Sequence, residues 1–81
     1  MPKAPPITNR VKAFREAAGG LSQAALAEAI GVTRQTIIAI EQGRYSPSLE
    51  SAFRISRVFG VDVESVFGWS EDPAGPGPEG R

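Results

Sequence analysis

The chain has 81 residues, which suit one small domain, and it contains neither cysteine nor histidine. The absence of these side chains excludes a disulfide framework and a thiolate metal site and removes the usual general base, so we expect no enzyme activity and no cofactor or metal. No apolar run approaches the ~20 residues of a membrane span and no signal-peptide pattern is present, which predicts a soluble cytoplasmic protein without a membrane partner.

The formal net charge is zero, but the charges are unevenly distributed along the chain. Residues 1–57 carry eight basic and four acidic side chains, whereas residues 58–81 carry one basic and five acidic side chains. A basic body with an acidic end is compatible with a polyanionic partner, although many solvated surfaces have a similar pattern.

Both ends of the chain are rich in proline or glycine and poor in apolar residues, as in "MPKAPP" and "SEDPAGPGPEGR". This composition predicts a flexible N-terminal arm over residues 1–7 and a disordered C-terminal tail over residues 70–81. The folded domain is therefore expected over residues 8–69.

The pattern inside this domain predicts five short helices and no strands. Helix 1 begins near Thr8 or Asn9 and ends at "GG" in positions 19–20, and helix 2 is "QAALAEAI". Helix 3 is "RQTIIAIEQ", helix 4 is "LESAFRISRVF" and helix 5 is "VESVFGW". Helices 2 to 5 each follow a residue suited to an N-cap: Ser22, Thr33, Ser48 and Asp62. Glycines that favour a helix end follow helices 2, 3 and 4: Gly31, Gly43 and Gly60.

Each helix should contribute one apolar stripe to a small core. The expected core residues are Val11, Phe14, Leu21, Leu26, Ala27, Ile30, Val32, Ile37, Ile40, Leu49, Phe53, Ile55, Phe59, Val61, Val66 and Phe67.

Only "GVT" separates helix 2 from helix 3, and so short a link forces an angled pair, as in a helix-turn-helix. Gly31 permits a positive φ, Ala27 is small where the helices would cross, and Val32 can fill the space beneath the turn. An ordinary corner between two helices of a generic bundle would fit the same residues.

The helical period divides helix 3 into two faces. Ile37 and Ile40 face the core with Glu41 at its edge, whereas the other face carries Arg34, Gln35, Ile38, Ala39 and Gln42. Glutamine and arginine can bond bidentately to adenine and guanine in the major groove, and alanine or isoleucine can contact a thymine methyl group. Ile38 would then belong to the reading face, unless it packs against the following turn or a dimer partner.

The stretch "LSQAALAEAIGVTRQTIIAIEQGRYSPSLESAFRISRVFGVDVESVF" resembles the Cro/Xre family of phage-repressor-type helix-turn-helix domains, and the likeness covers residues 9–67. It is most similar to the small stand-alone bacterial members. The resemblance implies an all-α, five-helix, lambda-repressor-like DNA-binding domain. The "AAGGLSQ" link between helices 1 and 2 is one residue longer than the family pattern.

The resemblance also implies the role of individual residues. Gln23 would contact a phosphate and brace helix 3, Thr33 would cap helix 3 and meet a phosphate, and Arg15 would pair with Glu41. Residues near the start and middle of helix 3 would reach base edges: Arg34, Gln35, Thr36, Ile38 and Ala39. Residues at its end would hold phosphates: Gln42, Arg44 and Tyr45, the last of which could instead pack beside Pro47.

We therefore expect a sequence-specific transcriptional regulator of double-stranded DNA that acts as a repressor, is associated with the nucleoid and has no small-molecule effector. A homodimer on a palindromic operator is expected because one helix reads too few base pairs. Helix 5 would form the dimer surface with Phe67 and Trp69, although Trp69 could equally cap the core. Two alternatives share the fold: an antitoxin or restriction-modification controller, and a protein-interaction module without a DNA site.

Overall fold

The computed structural model describes residues 6–69 as a five-helix domain with a small sheet. The elements in chain order are β1 Ile7–Asn9, α1 Val11–Ala17, α2 Gln23–Ile30, α3 Arg34–Glu41, α4 Leu49–Phe59, α5 Val63–Val66 and β2 Phe67–Trp69. None of the helices in this part of the chain is long and apolar enough to cross a membrane. The C-terminal tail and the first five residues of the predicted N-terminal arm lie outside the described residues.

The prediction of a purely helical domain is wrong at its two ends, because β1 and β2 pair antiparallel. Ile7 lies opposite Trp69, and Asn9 lies opposite Phe67. Helix α5 consequently ends at Val66, and the "FGW" that we assigned to it is strand. Three residues are too few for a period-2 pattern to be recognised, and a pairing between distant segments leaves no local signal. A Cβ at Gly68 would lie 3.0 Å from the Thr8 hydroxyl oxygen, so a larger residue there would require the Thr8 side chain to shift.

The start of α1 also differs from the prediction. The N-cap position is Arg10, which makes no side-chain capping bond, whereas Thr8 and Asn9 belong to β1. The Asn9 side chain still serves the helix, since its Oδ1 accepts a hydrogen bond of 3.0 Å from the Val11 amide. The Arg10 amide donates to the Val66 carbonyl at 2.8 Å, which ties the start of α1 to the end of α5.

The predicted caps of the middle helices are confirmed. The hydroxyls of Ser22, Thr33 and Ser48 accept bonds from the amides three residues on, at 2.9, 3.3 and 3.1 Å. Asp62 occupies the N-cap of α5, but its side chain makes no capping bond.

The core lies between the helices and includes most of the expected residues, among them Ile55 of α4, but two of the residues that we expected from α4 are exposed. Leu49 and Phe53 are 71% and 51% exposed. Ala52 and Ser56 are buried in their place, and the Ser56 hydroxyl is satisfied by donating to the Ala52 carbonyl at 2.9 Å. The small Ala52 and Ser56 let α4 pack closely against its neighbours on the side where Ile55 is fully buried.

Candidate nucleic-acid interface

Helices α2 and α3 form a bent pair joined by Gly31, Val32 and Thr33. Gly31 has a φ of 79° in the left-handed region, and the Val32 amide donates to the Ala27 carbonyl at 3.0 Å. This pattern closes the end of α2 and turns the chain at once into α3. Ala27 is buried and Val32 packs against the core. The small residue at the helix crossing and the apolar residue beneath the turn therefore lie where the sequence predicts them.

The two faces of α3 have the phase that the sequence predicts. Ile37 and Ile40 are buried in the core, whereas Arg34 and Gln35 are exposed. Three further residues of α3 are half-buried: Thr36, Ile38 and Ala39. Ile38 is not part of the core cluster, although its neighbour Ile37 is.

The exposed face of α3 continues into the turn that follows it. A shallow depression is lined by Gln35, Thr36, Ala39, Arg44 and Tyr45. The Arg44 guanidinium donates to the Gln42 side-chain oxygen at 2.7 Å, and both residues are exposed. Most of the predicted contact residues therefore form one continuous surface, with a cation at one end.

The N-terminal end of α3 is organised by Thr33. Its hydroxyl accepts from the Thr36 amide and lies 3.2 Å from the Thr36 hydroxyl. The Thr36 hydroxyl therefore has a partner within the protein, which leaves Arg34 and Gln35 as the freer polar groups of this first turn.

The C-terminal end of α3 is held by an ion pair that is almost completely covered. The Arg15 guanidinium contacts the Glu41 carboxylate bidentately, with Nε 2.6 Å from Oε2 and Nη2 3.1 Å from Oε1. The two side chains are only 12% and 7% exposed. Arg15 also donates to the Leu21 carbonyl at 2.8 Å, and the Gln23 amide donates to Glu41 Oε1 at 3.0 Å.

This network keeps the Glu41 carboxylate ionised. Burial alone would raise the pKa of Glu41, but the hydrogen bonds from Arg15 and Gln23, with the positive charge of Arg15, outweigh it and lower the pKa below its ordinary value. The same hydrogen bond with Glu41 raises the pKa of Arg15. Glu41 is the one carboxylate of α3, and because it is paired with Arg15 beside the core, the exposed face of the helix carries no carboxylate.

Gln23 is engaged within the protein and is not simply exposed for contact with a phosphate. Its side-chain nitrogen is used by Glu41, and its side chain is half-buried between α2 and α3. The hydrogen bond to Glu41 is the contact through which Gln23 braces α3, as we expected. Its side-chain oxygen is the group left for solvent or a ligand.

Sequence reasoning missed the contact that Asn9 makes with α3. The Asn9 side-chain nitrogen donates to the Ile40 carbonyl at 2.8 Å, across 31 residues of sequence. The asparagine was recognisable only as a residue suited to helix N-termini, and nothing in the sequence indicates so distant a partner.

The residues expected at a dimer surface are separated by the strand geometry. Phe67 is buried at 8% exposure and belongs to the core, so its assignment to a dimer surface is wrong. Trp69, two residues on in β2, is 65% exposed and does not cap the core. Among residues 6–69 there is no cluster of side chains suited to hold a metal ion.

A bent helix pair whose second helix presents an exposed polar face without a carboxylate defines a helix-turn-helix unit of the DNA-binding class. A family model described as helix-turn-helix matches residues 11–66. The chain therefore belongs to the Cro/C1-type helix-turn-helix family of DNA-binding transcriptional regulators.

Several relatives match this chain over most of their length. An uncharacterized HTH-type transcriptional regulator of Methanocaldococcus jannaschii is 50% identical over 66 residues, which cover 82% of this chain and 98% of the relative. One of Bacillus subtilis is also 50% identical over 66 residues, covering 82% and 97%. One of Methanothermobacter thermautotrophicus is 59% identical over 56 residues, covering 68% and 81%.

Proposed function

We propose that this DNA-binding regulator is a repressor that reads double-stranded DNA with α3 in the major groove. The observation that carries the proposal is the exposed face of α3, where Arg34 and Gln35 project to solvent without a neighbouring carboxylate. These two side chains can bond bidentately to guanine and adenine, and the half-buried Ile38 and Ala39 can contact thymine methyl groups.

Phosphate contacts would position this face on the duplex. Arg44 and Tyr45 lie in the same depression as Gln35, so a base contact and a phosphate contact can form together. Thr33, Gln42 and the free oxygen-bearing end of the Gln23 amide complete the set of proposed contacts. Arg10 and Lys12, at the start of α1, are also exposed and are either phosphate contacts or solvated charges.

One copy of α3 spans only a few base pairs, which is too short a site to be found in a genome. We therefore propose that the protein binds a palindromic operator as a homodimer in the cytoplasm, at the nucleoid. Occupying a promoter is sufficient for repression, and the proposed mechanism needs binding but no catalytic step, cofactor or small-molecule effector.

The direct experiment is selection of bound sequences from a random duplex pool, followed by fluorescence anisotropy on the selected site. We expect enrichment of one short sequence, repeated with inverted symmetry, and affinity that falls steeply with salt. A pool that returns no preferred sequence, or affinity that is flat between low and physiological salt, would contradict groove reading by α3.

A further inference from the structure

The chain turns back towards α3 directly after this helix ends. Gly43 has a φ of 75° in the left-handed region, and the Arg44 amide donates to the Ala39 carbonyl at 3.0 Å. This pattern closes the carbonyl end of α3 and brings the next residue, Tyr45, back alongside the exposed face. Tyr45 is 49% exposed and lies outside the core cluster, so core packing does not account for an aromatic residue at this position.

An apolar recess lies between Tyr45 and α3, within the shallow depression described above. Ala39 and Thr36 each carry a methyl group, and Tyr45 carries an aromatic ring. Thr36 and Ala39 lie three residues apart in α3, so they are neighbours on one face of the helix. These three residues form the recess, and the other two residues that line the depression, Gln35 and Arg44, lie at its rim.

The polar groups around the recess are held by partners within the protein or are exposed beside it. The Thr36 hydroxyl lies 3.2 Å from the Thr33 hydroxyl, and the Arg44 guanidinium donates to the Gln42 side-chain oxygen at 2.7 Å. The Gln35 amide is exposed and can both donate and accept. The surface therefore combines a small apolar hollow with one amide group next to it.

We propose that the recess receives the 5-methyl group of a thymine, so that Tyr45 determines DNA specificity from outside α3. The proposal rests on the proposed function, in which α3 enters the major groove. There an A·T pair presents adenine N7 and N6 beside the thymine O4 and methyl group, and none of the other three bases carries a methyl group. Gln35 can bond the adenine while the recess covers the methyl group, which selects an A·T pair and its orientation.

This role differs from a phosphate contact in the part of Tyr45 that it uses. A phosphate contact needs the hydroxyl alone and carries no sequence information. The recess needs the aromatic ring and responds to one methyl group of one base. Tyr45→Phe removes the hydroxyl and keeps the ring, whereas Tyr45→Ala removes both, so this pair of variants separates the two roles.

The test is fluorescence anisotropy with the full chain and the duplex selected from the random pool. Each thymine is replaced in turn by deoxyuridine, which removes the methyl group and keeps the base pairing. We expect one position of the recognised sequence at which the affinity of the parent falls by at least about threefold, as for the loss of one buried methyl group. The same replacement should change the affinity of Tyr45→Ala by less than about 1.5-fold, whereas Tyr45→Phe should respond like the parent. A thymine that contacts Ile38 instead would stay sensitive in all three proteins and is an internal control.

Filling the recess gives a second arm that predicts a gain rather than a loss. Ala39→Val places two further methyl groups in the recess, where they would occupy the space of the thymine methyl group. This variant should bind the duplex with deoxyuridine at that position at least as tightly as the duplex with thymine. Neither Ala39 nor Tyr45 belongs to the core cluster, and circular dichroism shows whether each variant is folded.

The proposal is overturned if no single deoxyuridine replacement weakens binding of the parent, or if Tyr45→Ala keeps the full sensitivity to the methyl group. Equal weakening of all sequences by Tyr45→Phe, with the methyl effect unchanged in Tyr45→Ala, would make Tyr45 a phosphate contact only and would also overturn it. In these cases the random pool still returns a preferred sequence, so the proposed function stands without this recess. A pool that returns no preferred sequence overturns both.

Discussion

Replacing Arg15 by methionine tests whether the covered ion pair fixes α3 in the fold. The substitution keeps an apolar stem of similar length but removes the three hydrogen bonds to Glu41 and the Leu21 carbonyl. The Glu41 carboxylate, only 7% exposed, is then left with the Gln23 amide as its donor within the described residues. A buried charge that loses its partner is strongly destabilising.

The magnitude can be bounded from the geometry. Breaking one side of a fully buried pair costs about 3–5 kcal/mol in the free energy of unfolding. The remaining hydrogen bond from Gln23 and the ability of Glu41 to take up a proton place the value at the lower end, near ~3 kcal/mol. For a domain of this size the melting temperature should fall by more than about 12 °C.

The assay is thermal and urea unfolding followed by circular dichroism at neutral pH. Arg54→Met is the matched control, because Arg54 forms an exposed pair with Glu50 at 2.7 Å and should lose less than about 0.5 kcal/mol. Adding Glu41→Met to Arg15→Met should recover part of the stability, since the stranded charge is then removed. If Arg15→Met melts like Arg54→Met and binds DNA like the parent, the pair does not hold α3.

Four further predictions concern the proposed DNA contacts of α3 and the hydrogen bonds that hold this helix. Arg44→Ala should weaken binding to all DNA sequences about equally and reduce the salt dependence in anisotropy titrations, whereas Arg54→Ala should do neither. Gln35→Ala should cost about 1–3 kcal/mol on the selected site and relax the preference at one base pair, with an unchanged melting temperature because Gln35 is exposed. The lowered pKa of Glu41 stabilises the fold above the pKa of about 4.5 that it has when unfolded, and this stability should disappear as the pH falls through the lower folded-state value. Melting temperatures between pH 6 and pH 3 should therefore fall less steeply in Glu41→Gln than in the parent. Asn9→Asp keeps the acceptor for the Val11 amide but loses the donor to the Ile40 carbonyl, and it should lower both stability and DNA affinity.

Each of these has a result that contradicts it. Sequence-dependent losses in Arg44→Ala would mean that this side chain reads bases, and unfolding of Gln35→Ala with base preference intact would mean that the faces of α3 are misassigned. Parallel acid melting curves for the parent and Glu41→Gln would show that other carboxylates govern acid unfolding. An Asn9→Asp variant with unchanged stability and affinity would show that the long-range contact is dispensable.

The parts of the fold that the sequence predicts are those set by neighbouring residues. Ser22, Thr33 and Ser48 act within a single helical turn, and the buried Ile37 and Ile40 follow from the period of one short helix. On α4 the apolar stripe predicted Ile55 correctly but not Leu49 and Phe53, because the small Ala52 and Ser56 occupy the packed side of the helix in their place. The sheet was missed because its two strands are short and lie at opposite ends of the domain.

The candidate site also contains features that neighbouring residues set and features that depend on distant residues. The outward side chains of α3 follow from helical phase, so Arg34 and Gln35 could be predicted from the residues alone. The contacts that orient the helix join residues 26 and 31 positions apart, and no periodicity connects such positions. Arg15 was assigned to Glu41 only through resemblance to a family, and Asn9 was assigned to a helix cap rather than to Ile40.

These long-range contacts converge on one end of α3. Asn9 binds the Ile40 carbonyl, and Arg15 and Gln23 bind the adjacent Glu41 carboxylate. The Ile40 carbonyl also accepts a hydrogen bond of 3.0 Å from the Gly43 amide, so the Asn9 side chain is a second donor to the carbonyl end of α3. The three donors come from β1, α1 and α2, and they surround the last turn of α3 from separate elements.

A helix that is held at its C-terminal turn and buried along Ile37 and Ile40 cannot rotate about its axis without breaking these contacts. Its exposed side chains therefore keep their direction before DNA arrives, and little ordering of the backbone is needed on binding. The same geometry implies that the proposed reading face can vary without cost to the fold. Arg34 and Gln35 make no contact on which α3 depends, so substitutions there should change the DNA sequence that is bound while substitutions at Asn9, Arg15 or Glu41 should weaken binding to every sequence.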